Sequence, residues 1–247
     1  MANGPVIMVM GTECLSETEE AWSKWYSEKH VPDVLKFKGI KNATRYKIRD
    51  ENEAARGTAD KSGPQCPKYV AIYEFQNWQA VEGYNNSPER QVAVKDWNDK
   101  WVNKGARLVW RIYYEPIKSW RGDAPTQRPR VMIIVGTECQ PGLDEEWNKW
   151  YNERHVPDVL KFKDMKKAAR YKIKNPTDPA KGVAGESSAQ YPTYLTIYEF
   201  DNLRAVDNYD RSPELAVAHD DWLNWTNTGR ARLVWRTCYV PIESWSR

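Results

Sequence analysis

One fifteen-residue segment occurs twice in the chain, and this repetition constrains the fold more than any other feature. WYSEKHVPDVLKFKG spans residues 25–39, and WYNERHVPDVLKFKD spans residues 150–164. The same offset of 125 residues relates GTEC at 11–14 to GTEC at 136–139, and the register continues almost without gaps to the end of the chain. Solenoid repeats are much shorter, about 20 to 50 residues. We therefore predict a tandem duplication of one domain.

The pattern within one repeat predicts six elements in the order β-α-β-β-α-β. Continuous apolar runs and segments rich in β-branched and aromatic residues indicate strands, whereas aromatic residues at three- and four-residue spacings indicate a helix. In the first repeat we predict strands at 6–10, 42–48, 68–75 and 106–114, and helices at 17–30 and 78–103, the second helix being broken near Ser87-Pro88. This order is that of the ferredoxin-like unit.

The predicted fold class is α+β, with two tandem ferredoxin-like βαββαβ units forming one pseudo-two-fold α+β barrel. A four-stranded sheet with both helices on one side leaves its other face uncovered, and packing it on an identical unit covers both. The predicted boundaries are a first unit at 1–120, a linker at 121–130 and a second unit at 131–247. Long polar segments at 50–67 and 175–192 are either lids over a pocket or surface loops.

Charge and composition exclude several classes of partner. The 37 basic and 34 acidic residues are interleaved and leave a net charge of +3, without the one-sided excess of a nucleic-acid-binding protein. No apolar run approaches the roughly 20 residues that span a bilayer, so no membrane partner is expected. Four scattered cysteines predict free thiols and a cytoplasmic protein. We expect a monomer with an internal pseudo-dimer, and leave further oligomerisation open.

Two of the three histidines, His30 and His155, occupy matching positions and are the candidate catalytic residues. Each lies two residues before a proline, so the first helix is expected to end at the intervening valine, with the histidine in its last turn. The helix dipole there favours the imidazolium and burial favours the neutral ring, which predicts a pKa near neutrality, suited to acid–base catalysis. Tyr26 and Tyr151, one turn earlier, are the second catalytic pair.

Alternatively, each histidine only caps helix carbonyls, and its repetition records the duplication. The third histidine, His219, has a valine, Val94, at the matching position of the first repeat, so we expect it at the surface.

The candidate binding residues are aromatic and charged side chains near these helices and strands. Arginines and glutamates that point inward would form a polar pocket for a carboxylate or phenolate, and the equally weighted alternative is structural ion pairing between strands. The candidates are Trp22, Trp147, Arg45, Arg170, Glu74 and Glu199. Glu13 and Glu138 are weaker acid–base candidates, and Arg111 and Arg236 weaker binding candidates.

We expect neither a metal nor a cofactor. No third ligand accompanies the histidines and the following aspartates, and the chain has no glycine-rich phosphate loop, GxSxG or GxGxxG motif.

The motif W-x-x-W-Y-x-x-x-H-V-P-D-x-L, followed by ATRY or AARY, resembles the EthD-like branch of the dimeric α+β barrel superfamily. The resemblance covers both halves of the chain and implies the same barrel fold. It places the family's helix histidine at His30 and His155, and its strand Arg-Tyr pair at Arg45-Tyr46 and Arg170-Tyr171, which adds Tyr46 and Tyr171 to the candidate binding residues. The superfamily includes monooxygenases, cyclases, isomerases, decarboxylases and dehydratases, so the resemblance is specific for the fold and not for the reaction.

These observations favour a cofactor-independent enzyme that uses Tyr/His acid–base chemistry on a small aromatic or polyketide-like substrate, as a lyase, cyclase or isomerase. One alternative is a cofactor-free monooxygenase of the same superfamily. A second is a non-catalytic small-molecule-binding or stress-related barrel. A haem-binding barrel is disfavoured because the histidines belong to tight aromatic helices.

Overall fold

The computed structural model describes residues 5–50, 66–121, 129–174, 183–185 and 191–247. The segments predicted as lids or loops at 50–67 and 175–192 therefore lie largely outside the described residues. The first repeat consists of β1 (Val6–Cys14), α1 (Glu19–Trp25), α2 (Val31–Leu35), β2 (Ile40–Ile48), β3 (Tyr69–Phe75), α3 (Trp78–Asn85), α4 (Pro88–Lys100) and β4 (Ala106–Trp120). The second consists of β5 (Val131–Cys139), α5 (Asp144–Trp150), α6 (Val156–Val159), β6 (Met165–Ile173), β7 (Val183–Gly185), β8 (Tyr194–Phe200), α7 (Leu203–Tyr209), α8 (Pro213–Thr226) and β9 (Ala231–Ser246).

The strands form one antiparallel sheet that closes on itself, which confirms the predicted fold class. Within each repeat the strands have the ferredoxin-like order, β4-β1-β3-β2 in the first and β9-β5-β8-β6 in the second. Pairing of β2 with β9 and of β6 with β4 joins the two repeats into an eight-stranded barrel, and β7 adds a short pairing to β4. Closure removes the exposed edges that two separate sheets would present.

The last strand of each repeat is longer than predicted, because it serves both sheets. The prediction ended the strand at residue 114, but β4 continues to Trp120, and its second half pairs with β6. In the same way the first half of β9 pairs with β5 and its second half with β2. The sequence EPIKSW carries a proline and polar residues that obscure a strand pattern, and only the partner repeat supplies its hydrogen bonds.

Three apolar clusters stabilise the barrel. One fills the interior with side chains from both repeats, and at its centre the rings of Trp110 and Trp235 stack almost in parallel with centroids 6.4 Å apart. The other two lie on the outer face of the sheet, one beneath the helices of each repeat. Successive residues of a strand therefore face either the interior or a helical layer.

The break in the second helix is confirmed, and the predicted end of the first helix is wrong. Ser87 caps α4, its side-chain oxygen accepting from the backbone N–H of Arg90, and Pro88 occupies the first turn. In contrast, Val31 has helical backbone angles and the helix continues through Pro32 to Leu35. Among the described residues, no helix is long and apolar enough to span a membrane.

Candidate active site

A π-helical turn carries each candidate histidine. Residues 26–30 and 151–155 form these turns, and the backbone N–H of Val31 bonds to the carbonyl of Tyr26, five residues earlier. Proline lacks an N–H and clashes with the carbonyl four residues earlier, and the wider turn accommodates this without ending the helix. His30 thus lies in the middle of a continuous helix and does not cap its carbonyls.

In the first repeat, His30 belongs to a series of side chains in edge-to-face and tilted contact that runs from the sheet to the helices. The guanidinium of Arg45 lies 4.4 Å from the centroid of the Tyr26 ring, and Tyr26 lies 4.7 Å from His30. Beyond His30 are the indoles of Trp25 and Trp97, at centroid distances of 5.0 and 6.2 Å. The imidazole is held in one orientation by these rings.

The second repeat reproduces this series. Arg170 lies 4.0 Å from the Tyr151 centroid, and Tyr151 lies 4.6 Å from His155. The indoles of Trp150 and Trp222 follow at 5.0 and 6.0 Å. This series of ring contacts is therefore a property of the duplicated unit.

Both histidines are neutral at pH 7, in contrast to the predicted pKa near neutrality. Burial lowers the pKa of His30 to about 4, and the Asp96 carboxylate opposes this shift only in part. Burial, reinforced by the charge of Arg170, lowers the pKa of His155 to about 3. The Nδ1 atoms of both rings are enclosed by protein and have no hydrogen-bond partner among the described residues. The helix dipole cannot offset burial here, because neither ring lies at a helix end.

A cavity of about 370 Å³, the first cavity, opens beside His30 between α4 and the outer face of β1 and β4. Its apolar wall comes from Met8, Met10, Ala93, Val94, Trp97, Val102, Ala106 and Leu108. Its polar wall comes from Tyr84, Arg90, Asn98, Asn103, Arg107 and Arg111. Burial raises the pKa of Tyr84, so its hydroxyl stays protonated. The combination of apolar walls and a few polar groups is typical of small-molecule sites.

The matching second cavity, beside His155, measures only about 110 Å³. Leu215 replaces Arg90 in its wall, and His219 replaces Val94. Arg236, the counterpart of Arg111, donates to Asp210 at 2.5 Å. His219 is exposed, as expected, and also borders this cavity.

Four predicted binding residues lie inside the barrel and not beside the histidines. Tyr46, Tyr171, Glu74 and Glu199 line a third space of about 50 Å³, the axial cavity, to which both repeats contribute matching positions. The side-chain amide of Asn42 donates to a carboxylate oxygen of Glu74 at 3.0 Å, and the Nζ of Lys167 lies 3.8 Å from a carboxylate oxygen of Glu199. Burial and the nearby glutamates raise the pKa of Tyr171.

The other predicted binding residues are enclosed between the helices and the sheet. Trp22 and Trp147 are fully buried and line neither histidine cavity. Arg45 is held by the Ser23 carbonyl at 2.8 Å and by the Ser27 hydroxyl at 2.6 Å. Arg170 donates to Asn152 at 2.6 Å, and its Nε and second terminal nitrogen have no partner among the described residues. Burial lowers the pKa of Arg170 to about 10. Arg45 and Tyr46 face opposite sides of β2, so they cannot line one pocket.

Glu13 and Glu138 make structural contacts. Glu13 accepts from the backbone N–H of Lys68 at 2.8 Å, and Glu138 accepts from the backbone N–H of Thr193 at 2.6 Å. Within the described ranges no three His, Cys, Asp or Glu side chains cluster as metal ligands. The expectation that no cofactor is used remains a prediction.

The residues that sequence reasoning missed are Arg90 and Asn98 on α4 and Tyr84 on α3. All three line the first cavity. Arg90 and Asn98 correspond to Leu215 and Leu223, so a position-by-position search for polar residues present in only one repeat would have found them.

Comparison with known sequences shows the family. Residues 6–106 and 130–215 match the family described as Domain of unknown function (DUF4286), and the chain belongs to this family. A search of curated protein sequences finds no match.

Comparison with solved structures supports the dimeric α+β barrel fold. An anthrone oxidase-like protein has a TM-score of 0.65 at 9% identity, with 98% of this chain and 93% of that chain covered. A candidate monooxygenase from Fusobacterium nucleatum has a TM-score of 0.61 at 10% identity, covering 100% and 96%. A candidate chlorite dismutase has a TM-score of 0.55 at 10% identity, covering 98% and 96%. At such identities the similarity concerns the fold alone.

Proposed function

We propose that this member of the DUF4286 family is a cofactor-independent enzyme that transfers a proton on a small aromatic or polyketide-like molecule in the first cavity. The observation that carries this proposal is the position of His30, a neutral imidazole that lines a cavity of about 370 Å³ with mostly apolar walls. A lyase, cyclase or isomerase needs only such proton transfers.

His30 would act as the proton acceptor. A base whose pKa is about 4 is weak towards a neutral molecule, but a negative charge formed beside it raises its pKa and stabilises the imidazolium. An enolate formed on proton removal supplies that charge. Asp96, whose charge already favours the protonated ring, would help to hold it.

Two tyrosines would have different roles. Tyr84 lines the first cavity, and its protonated hydroxyl would donate a hydrogen bond to the oxygen on which charge develops. Tyr26 lies behind His30 between that ring and Arg45, and would position the imidazole. The W…H…P helix that resembles the EthD-like branch is consistent with this assignment.

In the second repeat, His155 and Tyr151 would keep the same contacts without comparable turnover. The cavity beside His155 is less than a third of the volume of the first. A substrate with one aromatic ring and a carbonyl group would therefore enter the first cavity preferentially.

A second candidate function is oxygenation without a cofactor, favoured by the fold shared with an anthrone oxidase-like protein and a candidate monooxygenase. In such a reaction anthrone and one O₂ would give anthraquinone and one water, the substrate supplying all the electrons. His30 would then remove the proton that generates the electron-rich anion. Oxygen uptake with anthrone, above the rate without protein and dependent on His30, would favour this candidate.

The test of proton transfer is hydrogen–deuterium exchange at the methylene carbon of phenylpyruvate methyl ester, followed by proton NMR in D₂O. We expect the protein to accelerate exchange and His30→Gln to remove the acceleration. Equal exchange rates with and without protein, over a panel of aromatic ketones and polyketide-like esters, would contradict the proposal. A molecule that binds beside His30 without exchange would instead favour a non-catalytic binding protein.

A further inference from the structure

We propose that the first cavity binds a flat apolar anion, an aromatic or conjugated carboxylate, whose carboxylate group contacts Arg90. This inference rests on the proposed function only in using the same cavity, and it adds the charge of the ligand.

Arg90 lines the cavity, and one of its donors is not bonded to any of the described residues. Its backbone is fixed in the first turn of α4 by the Ser87 cap. Its Nε atom is enclosed by protein and has no hydrogen-bond partner among the described residues. A buried donor without a partner is unfavourable, so a movement of the side chain that brings the guanidinium to a ligand carboxylate would be favourable. The N-terminal end of a thirteen-residue helix adds a favourable potential for an anion.

The residues that line the first cavity have a one-sided charge. They include three arginines and no aspartate or glutamate. Arg107 lies opposite Glu13 in the β1–β4 pairing, and the guanidinium of Arg111 lies over the Tyr113 ring, so the inference depends on Arg90. Arginine binds carboxylates through a planar, charge-assisted pair of hydrogen bonds.

The second cavity provides an internal comparison. Its counterpart of Arg90 is Leu215, and the arginine that it keeps, Arg236, is bound by Asp210. Position 85 in the first repeat, which corresponds to Asp210, is an asparagine whose carbonyl oxygen accepts from Tyr113 at 3.0 Å. The fold therefore requires neither an arginine at position 90 nor a neutral residue at position 85.

The rest of the wall suits a flat ring. Met8, Met10, Ala93, Trp97 and Leu108 form an apolar surface next to His30. Methionine adapts its shape to a bound ring, and tryptophan offers a face for stacking. A carboxylate on Arg90 would leave the body of the molecule against this surface.

The experiment compares two ligands of nearly equal shape, 2-naphthoate and the neutral 2-naphthamide, by isothermal titration calorimetry with the full chain. We expect wild type to bind naphthoate at least tenfold more tightly than naphthamide. Arg90→Leu should weaken naphthoate binding about 10- to 100-fold, the loss of one charged hydrogen-bonding group, and change naphthamide binding less than threefold. Leucine occupies the equivalent position of the second repeat, so Arg90→Leu is expected to fold.

Leu215→Arg is the matched control, since it adds the same side chain beside the smaller cavity, and it should leave both affinities unchanged. Equal affinities of wild type for the two ligands, no naphthoate binding at millimolar concentration, or full binding by Arg90→Leu would each overturn the inference. Deuterium exchange of the neutral methyl ester reports on the proposed function separately. Deuterium exchange together with equal affinities for naphthoate and naphthamide would contradict the anion site alone. Tighter binding of naphthoate without deuterium exchange would contradict only the catalytic proposal.

Discussion

The two repeats keep the same ring contacts around their histidines and differ in the walls of the adjoining cavities. Arg45, Tyr26 and His30 match Arg170, Tyr151 and His155, with corresponding distances that agree within 0.4 Å. The cavities differ more than threefold in volume, about 370 against about 110 Å³. The repeats have thus kept the interior of the helix–sheet layer while the walls of the two cavities have diverged.

This difference changes how the repeated segment is interpreted. A histidine found in both halves can be retained because it packs between two tryptophans, and its recurrence alone does not indicate catalysis. The residues that separate the halves, Arg90 against Leu215 and Asn85 against Asp210, carry more functional information.

The largest expected difference between the repeats is in proton transfer. His30→Gln should lower the protein-dependent deuterium exchange of phenylpyruvate methyl ester at least about 100-fold, because general-base catalysis contributes about 10² to 10⁴. His155→Gln should change it less than threefold, and thermal melting of both variants provides the control for folding. A larger loss in His155→Gln than in His30→Gln would reverse the assignment of the active repeat.

The next effect is the dependence of stability on pH. The folded-state pKa of His30 lies near 4, below the unfolded value of 6.5. Between these values the unfolded chain binds more protons, so the free energy of unfolding is highest above pH 6.5 and falls as the pH approaches 4. The loss attributable to His30 is on the order of 3 kcal/mol.

Urea unfolding at several pH values checks this expectation. His30→Asn should remove more of the slope between pH 6.5 and 4 than His155→Asn. The pKa of His155 is the lower of the two, but His155 is partly exposed as a residue, whereas His30 is only 5% exposed. Contact with water reduces the penalty of charging a histidine. An unchanged slope in His30→Asn would show that the imidazole is not desolvated.

The third effect, smaller than the pH dependence, is the difference between Arg45 and Arg170 in their contribution to the free energy of unfolding. Arg45→Met removes bonds to Ser23 and Ser27 and is expected to lower the free energy of unfolding by about 2 kcal/mol. Arg170→Met removes one bond, to Asn152, together with two donors that lack partners, so the change should stay below about 1 kcal/mol. Equal losses in urea unfolding would contradict this comparison.

The smallest effect should come from the axial cavity. Tyr46→Phe and Tyr171→Phe should each change naphthoate affinity and deuterium exchange less than twofold, because neither side chain lines a histidine cavity. Calorimetry and NMR under the conditions used for wild type measure both. A tenfold loss would link the barrel interior to the functional site.

The duplicated barrel was predictable from the sequence. The chain repeats at an offset of 125 residues, and its strands are apolar on both faces, so each sheet must be covered on both sides. Sequence reasoning could also have separated Arg45 from Tyr46, since neighbouring strand residues face opposite sides. The π-helical turn was missed because the rule for a residue before proline favours extended backbone, and packing of His30 against Trp25 and Trp97 opposes that preference. Arg90 was missed because the candidate residues were chosen from positions that the two repeats share, whereas the signal for Arg90 is a difference between the repeats, with Leu215 at the matching position.

The most direct test of the central claim, that ligands bind beside His30 and not beside His155, is an NMR titration of the imidazole resonances with 2-naphthoate. The chain has three histidines, so single His→Gln variants assign every signal. We predict that the His30 resonances shift and saturate while those of His155 and His219 stay in place. A saturable shift of His155, or no shift of His30 under conditions where calorimetry detects binding, would contradict the account.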